Sequence, residues 1–197
     1  DALSRSPGRG SIAPQQLAGL LSRFPTEVQQ KAQPLIATAL AEQNRRAARL
    51  EELLPKLAGG HAERGRSVFF GRRAVCSTCH RAEARGGDIG PDLSRIGRIR
   101  TNRDLAESIL FPSVTVANGY EMFSIVTRSG RVYSGVVHRE TPTAVFLRQA
   151  DTQEVRIERS QIDEMERQEK SIMPDGFDRN LTTQQISDLI AYLKSLK

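Results

Sequence analysis

The sequence predicts a mainly α-helical chain with a β insert, and three observations predict it. Leucines and isoleucines recur at helical spacing between 15 and 57 and again from 178 onward. The stretch 120–159 is instead rich in β-branched and aromatic residues, in short runs cut by "RSGR", "ETPT" and "ADTQE". Between the two textures lies "RGGDIGPDLSRIG" (85–97), whose glycines and proline mark a loop.

Residues 1–13, rich in Ser, Gly and Pro, are expected to form a tether. Leu17, Leu20 and Leu21 suit a short helix stopped by Pro25. A longer helix is expected after Pro34, with Ile36, Leu40, Ala47, Leu50, Leu53, Leu54 and Leu57 roughly on one face, ended or kinked by Pro55. "AGGHAERG" stops it and starts another over 62–73, which carries Gly65, Phe69 and Phe70. "NRDLAESIL" is a helix with Asn102 as its cap and Pro112 past its end. About four antiparallel strands follow over 120–159. The last helix is capped by Thr182 or Thr183 and buries Ile186, Leu189, Ile190, Leu193 and Leu196. The expected organisation is a tether and helical extension over 1–58, then a domain over 59–197 with the β insert at about 118–165. No internal repeat is visible.

The chain of 197 residues carries a net charge of +6. Its arginines are spread along the sequence instead of packed into a tail, which argues against nucleic acid and leaves a solvated basic surface, an anionic membrane surface or an acidic protein partner. No apolar run is long enough to span a bilayer. The opening "DALSRSPGRGSIAPQQ" lacks the hydrophobic core of a signal peptide, so either export processing has preceded it or the sequence is a segment of a longer protein.

Both cysteines fall in "AVCSTCHR" (74–81). A structural zinc ion needs four protein ligands; beyond Cys76, Cys79 and His80 only His61 or His138 remains, at spacings of no common zinc module. A thioredoxin-type disulfide would open a helix after a parallel strand, whereas a helix precedes this motif. C-x-x-C-H is also the attachment site of a c-type haem, in which two thiols bond the porphyrin edge and the adjoining histidine is carried beneath the iron. The surroundings favour this third reading. Gly65 and Phe69 precede the motif and suit a close crossing with the helix of Leu189, Tyr192 and Leu193. "GPDL" offers a loop carbonyl near Pro91 for the second imidazole nitrogen. "SIMPDG" offers Met173 as a thioether ligand for the opposite face, whereas Met122 and Met165 read as core fillers.

On these residues the chain resembles class I cytochrome c: Gly65, Phe69, Cys76, Cys79, His80, Gly90 to Leu93, Met173 and "DLIAYL". Met173 lies far beyond the usual distance from His80, and the β insert fills the gap. With "GPDLSRIG", "ILFPS" and "IMPDG", residues 60–197 look like the haem-binding domain at the C-terminus of large planctomycete and verrucomicrobial dehydrogenase-like proteins.

The resemblance implies one haem c bound through Cys76 and Cys79, with His80 and Met173 as axial ligands. An open distal site, or His61 or His138 in place of Met173, are the alternatives. Arg98 and Arg100 are candidates for the propionates, and Phe69, Val75, Leu93, Ile96, Ile99, Leu105 and Ile109 for the pocket walls. The expected role is single-electron transfer, not enzymatic catalysis, between a dehydrogenase module, of the same parent chain or a separate one, and another redox carrier. A haem sensor or haem enzyme with a displaceable distal ligand is the rival. The strands also admit a separate role, as a small SH3-like barrel docking the domain onto its parent. Covalent haem attachment implies a periplasmic or otherwise extracytoplasmic location.

Overall fold

The structure, a computed structural model, describes residues 13–197. All of the expected tether except Ala13 lies outside the described residues. Helix accounts for 46% of the chain and sheet for 19%, so helices predominate around one five-stranded antiparallel sheet. The chain divides into two units, residues 1–53 and 54–197.

The first unit is a helical hairpin, α1 (Pro14–Leu21) and α2 (Thr26–Leu53). Leu17 and Leu21 of α1 bury against Ala32 and Ile36 of α2, with Leu40 at the margin. The helix expected to start after Pro34 starts instead at Thr26 and runs through the proline. An interior proline costs about 3 kcal/mol. Here Ala32 and Ile36 flank Pro34 and are both buried, so tertiary packing holds the turn that local propensity would break. Pro55 does end the helix, and the chain continues as a 3-10 turn, Leu54–Leu57.

In the second unit, α3 (Ala62–Phe69) crosses the C-terminal helix α8 (Thr183–Ser195). The helix expected over 62–73 is therefore shorter and ends before Gly71. The crossing is close because Gly65 has no side chain: a Cβ there would lie 1.8 Å from the Asp188 carbonyl oxygen. Phe69 packs tilted on Tyr192 at 5.5 Å. Beneath the same crossing, Asp188 is almost fully buried yet satisfied. It accepts two bonds from the Arg64 guanidinium and one from the His61 backbone N–H, all at 2.8 Å, and one from Gln184 Nε2 at 2.9 Å. Helix α8 opens on a reciprocal capping box between Thr182 and Gln185.

Between these helices lie α4 (Cys76–Cys79), the two-residue strands β1 (Arg81–Ala82) and β2 (Arg85–Gly86), α5 (Ile96–Ile99) and α6 (Asn102–Leu110). The cap of α6 is Thr101, not Asn102. The Thr101 hydroxyl accepts from the Asp104 N–H while the Asp104 carboxylate accepts from the Thr101 N–H. Helix α5 is fastened to α8 by the Gly97 N–H, which donates to the Leu196 carbonyl at 2.9 Å. Lys194 Nζ adds bonds to the carbonyls of Gly97 and Arg100. A short helix, α7 (Phe177–Asn180), precedes α8.

The β insert has five strands where four were expected: β3 (Met122–Thr127), β4 (Val132–Glu140), β5 (Ala144–Arg148), β6 (Glu154–Glu158) and β7 (Ile162–Arg167). Their order across the sheet is β6-β5-β4-β3-β7, all antiparallel. One face is apolar, with Ile125, Val145, Leu147 and Ile157 buried and Phe123, Tyr133, Met165 and others packed on them. The three-residue turn Arg159–Gln161 joins the two edge strands. In a flat five-stranded sheet those edges would stand roughly 19 Å apart. A link this short, tightened to 3-10 geometry, covers only about 8 Å. The sheet must therefore curl until its edges approach. Among the described residues, no helix is long and apolar enough to cross a membrane.

Candidate functional site

The cysteines occupy the single turn of α4, entered through Val75 in the left-handed region at φ 49°. A β-branched residue pays for that conformation, so the entry is fixed by its surroundings. The Thr78 N–H bonds the Val75 carbonyl at 3.0 Å and the His80 N–H bonds the Cys76 carbonyl at 2.9 Å. Both thiols are free and half-buried. Burial pushes Cys76 up to about 11 and raises Cys79 as well. A redox-active C-x-x-C pair needs the opposite displacement. Nor, among the described residues, do three or more His, Cys, Asp or Glu side chains gather where they could hold a metal ion between them, as a zinc site would require.

His80 follows in extended conformation, and the loop 86–93 folds back over it. The Gly87 N–H donates to the Ser77 carbonyl at 2.9 Å and the Gly90 N–H to the Cys79 carbonyl at 2.8 Å. The Leu93 N–H closes the loop on the Arg81 carbonyl at 2.8 Å. Gly90 lies flat on the imidazole: a Cβ there would be 2.4 Å from His80 Cε1 and 2.7 Å from Nδ1. The sequence expects a carbonyl for the ring's second nitrogen, and the Pro91 carbonyl meets Nδ1 at 2.9 Å. A carbonyl only accepts, so the proton of the neutral ring sits on Nδ1 and Nε2 keeps its lone pair. Among the described residues Nε2 has no hydrogen-bond partner. Burial lowers the His80 pKa, against the opposing pull of the Pro91 bond, and so favours the neutral ring.

Two further contacts brace this loop. Glu83 and Ala84, both at positive φ, turn the chain between β1 and β2. The Glu83 carboxylate takes both nitrogens of the Arg66 fork, at 2.9 and 2.8 Å, and the Tyr192 hydroxyl at 3.0 Å. The turn after His80 is thereby tied to α3 and α8 at once. On the other side Asp88 forms an ion pair with Arg148 of β5, whose side chain is only 15% exposed. The guanidinium holds the Asp88 carboxyl below its ordinary range. Neither brace has a local signal, since Glu83 stands 109 positions from Tyr192 in the sequence.

The other candidates are more scattered. Met173 is half-buried in the loop between β7 and α7, with its N–H donated to Ser171 Oγ at 3.1 Å. The Ser171 N–H in turn reaches Ser113 Oγ at 3.1 Å, which fastens that loop to the segment after α6. Arg98 is exposed on α5, and among the described residues no ion pair or side-chain hydrogen bond joins it to the motif. His61 and His138 are both exposed, His138 with its Nε2 3.9 Å from Glu154. Of the expected walls, Phe69, Leu105 and Ile109 are buried, Leu93 and Ile96 half-buried. Val75 and Ile99 are exposed, Ile99 to 71%.

The donor set fits a covalently held haem. It offers two free thiols on one helical turn, and next to them an imidazole held by Pro91 and Gly90 with Nε2 available. Compared with known proteins, the chain matches no family model and no curated protein.

Proposed function

We propose that residues 54–197 form a cytochrome c-like domain that binds one haem through Cys76 and Cys79, with His80 as proximal and Met173 as distal ligand. The observation that carries the reading is the held imidazole, with Nδ1 committed to the Pro91 carbonyl and Nε2 unpaired, one residue beyond two free cysteines. When bound, a haem supplies a reversible one-electron couple at its iron. The chain's own part is to hold. Pro91 fixes the tautomer and plane of His80, and Gly90 lets the backbone approach the ring face. Glu83 anchors the following turn to the helix crossing. Met173 would be the second holding residue, through its thioether. That set suits electron transfer more than catalysis.

On this reading the protein matures outside the cytoplasm and passes single electrons between a dehydrogenase module and a second carrier, with its basic surface steering it toward acidic partners. The first experiment is the visible spectrum, oxidised and dithionite-reduced, of chain expressed in a host that matures c-type cytochromes. Sharp α and β bands on reduction and a weak sulfur–iron band in the oxidised form are expected, and the sulfur band should vanish in Met173→Ala. Haem without the sulfur band would reject Met173 and favour a sensor or enzyme with an open face. No covalent haem would reject the reading altogether.

A further inference from the structure

The curled sheet has an open mouth where the β3–β4 hairpin faces the Arg159–Gln161 turn. The Arg128 N–H donates to the Gln161 carbonyl at 2.9 Å and so ties the two turns together. Between them is a cleft of about 400 Å³, floored by Tyr133 and the buried Ile157 and rimmed by Arg128, Arg131 and Arg156. Mouths of small barrels are a usual place for ligands, and this volume is in the usual range.

Its charge is one-sided. No Asp or Glu lines the cleft. Arg156 is paired with Glu158. Arg128 and Arg131 have no carboxylate partner among the described residues, although acidic side chains are plentiful elsewhere on the sheet. The hydroxyls of Ser160 and Tyr133 likewise make no hydrogen bond among the described residues. Two guanidiniums on one turn, Arg128 and Arg131, line this cleft together with the hydroxyls of Ser160 and Tyr133, a donor set that suits an anion with oxygens pointing in several directions. A planar carboxylate would be served by a single guanidinium fork.

We propose that the mouth of the sheet is a binding site for a small phosphate monoester. Arg128 and Arg131 grip the phosphoryl oxygens, Ser160 adds a hydroxyl donor, and the organic part of the ester rests on Tyr133 and Ile157. The space exceeds what a bare phosphate fills, so an ester is favoured over the inorganic ion. The cleft residues, 127–161, are none of those proposed to hold the haem.

The test is calorimetric titration of the full chain at low ionic strength with phenyl phosphate, inorganic phosphate and acetate. Phenyl phosphate should bind saturably at one site and at least tenfold more tightly than inorganic phosphate, with no saturable heat from acetate. Arg128→Gln and Arg131→Gln should each weaken it about tenfold, and Arg23→Gln, in the first unit, should leave it unchanged. Both rim arginines are exposed, and thermal melts check that the variants stay folded. Amide chemical shifts on titration should move at 127–131, 133 and 157–161. Acetate binding as well as phosphate, shifts spread over the basic surface, or full affinity in the Arg128→Gln/Arg131→Gln double variant would overturn the proposal.

Discussion

Gly65→Ala should be among the most damaging single-methyl changes in this chain. The added carbon would lie 1.8 Å from the Asp188 carbonyl oxygen and 2.8 Å from Tyr192 Cβ. A carbon and a carbonyl oxygen tolerate about 3.3 Å, so α3 and α8 must part by roughly 1.5 Å. The obstacle is backbone and cannot rotate away. Overpacking of this kind costs about 1–3 kcal/mol. Parting the helices also stretches the bonds from Arg64 and the His61 N–H to Asp188, now at 2.8 Å, and the Tyr192–Glu83 bond at 3.0 Å. Each lost bond adds about 1 kcal/mol. Against this, alanine gains about 1 kcal/mol of helix propensity over glycine. With two of these bonds lost, the net is a loss of about 2–4 kcal/mol, or a Tm lower by roughly 5–10 °C for a domain of this size. Thermal melts of the two proteins at equal cofactor loading measure it, with urea midpoints as a second reading. A variant as stable as the parent would show that the helices do not cross at Gly65, and the packing argument would fall.

Other consequences follow from the same contacts. The Asp188 carboxyl, held chiefly by Arg64, is lowered from 3.8 to about 2. A lowered carboxylate stabilises fully above its unfolded value, and that part is lost as pH falls from about 4 through about 2. At 1.36 kcal/mol per unit it amounts to about 2 kcal/mol, discounted to roughly 1 because Arg64 is half exposed. Stability curves of the parent and Asp188→Asn should converge over that interval; parallel curves would contradict the assignment. The Tyr192 phenol is raised first by burial and then by its bond to Glu83. Tyrosinate absorbance should therefore appear at lower pH in Glu83→Gln while staying above the ordinary tyrosine range, and an unmoved onset would mean that the bond is not formed. Thr182→Ala should cost about 1 kcal/mol through the lost capping box, read as a lower urea midpoint with an unchanged slope. If the motif carries haem as proposed, Gly90→Ala should push the His80 ring off the Pro91 carbonyl and reduce covalent haem yield. Full yield with an unchanged spectrum would deny Gly90 its place against the ring.

Local signals carried much of this fold, and non-local ones carried the braces. His80 and Pro91 belong to one glycine-bent loop, so their meeting is legible from spacing. Thr182 and the apolar stripe of α8 are legible from capping and period. Thr101 and Asn102 are both good capping residue types, and only the reciprocal bond with Asp104 separates them. Strand β7 escaped because "IDEMER" turns just Ile162 and Met165 toward the core and leaves the rest in water. The helix through Pro34 is the work of packing on either side of it. Arg64 with Asp188, Glu83 with Tyr192, and Asp88 with Arg148 join residues far apart in the chain, and a single sequence holds no trace of such pairs.

The Arg148–Asp88 pair makes the sheet a gauge for the loop that positions the imidazole. Arg148 stands opposite Val136 on one side and Glu154 on the other. A slip of β5 by one residue would send it to the opposite face. Asp88 would then lose its partner, three residues before the carbonyl that orients His80. The alignment of strands drawn from the middle of the chain thus bears on a loop near position 80, and a domain whose sheet has misregistered would leave that loop with the Glu83 brace alone. Correct strand pairing becomes a condition for the Asp88 contact on the loop that orients the His80 ring.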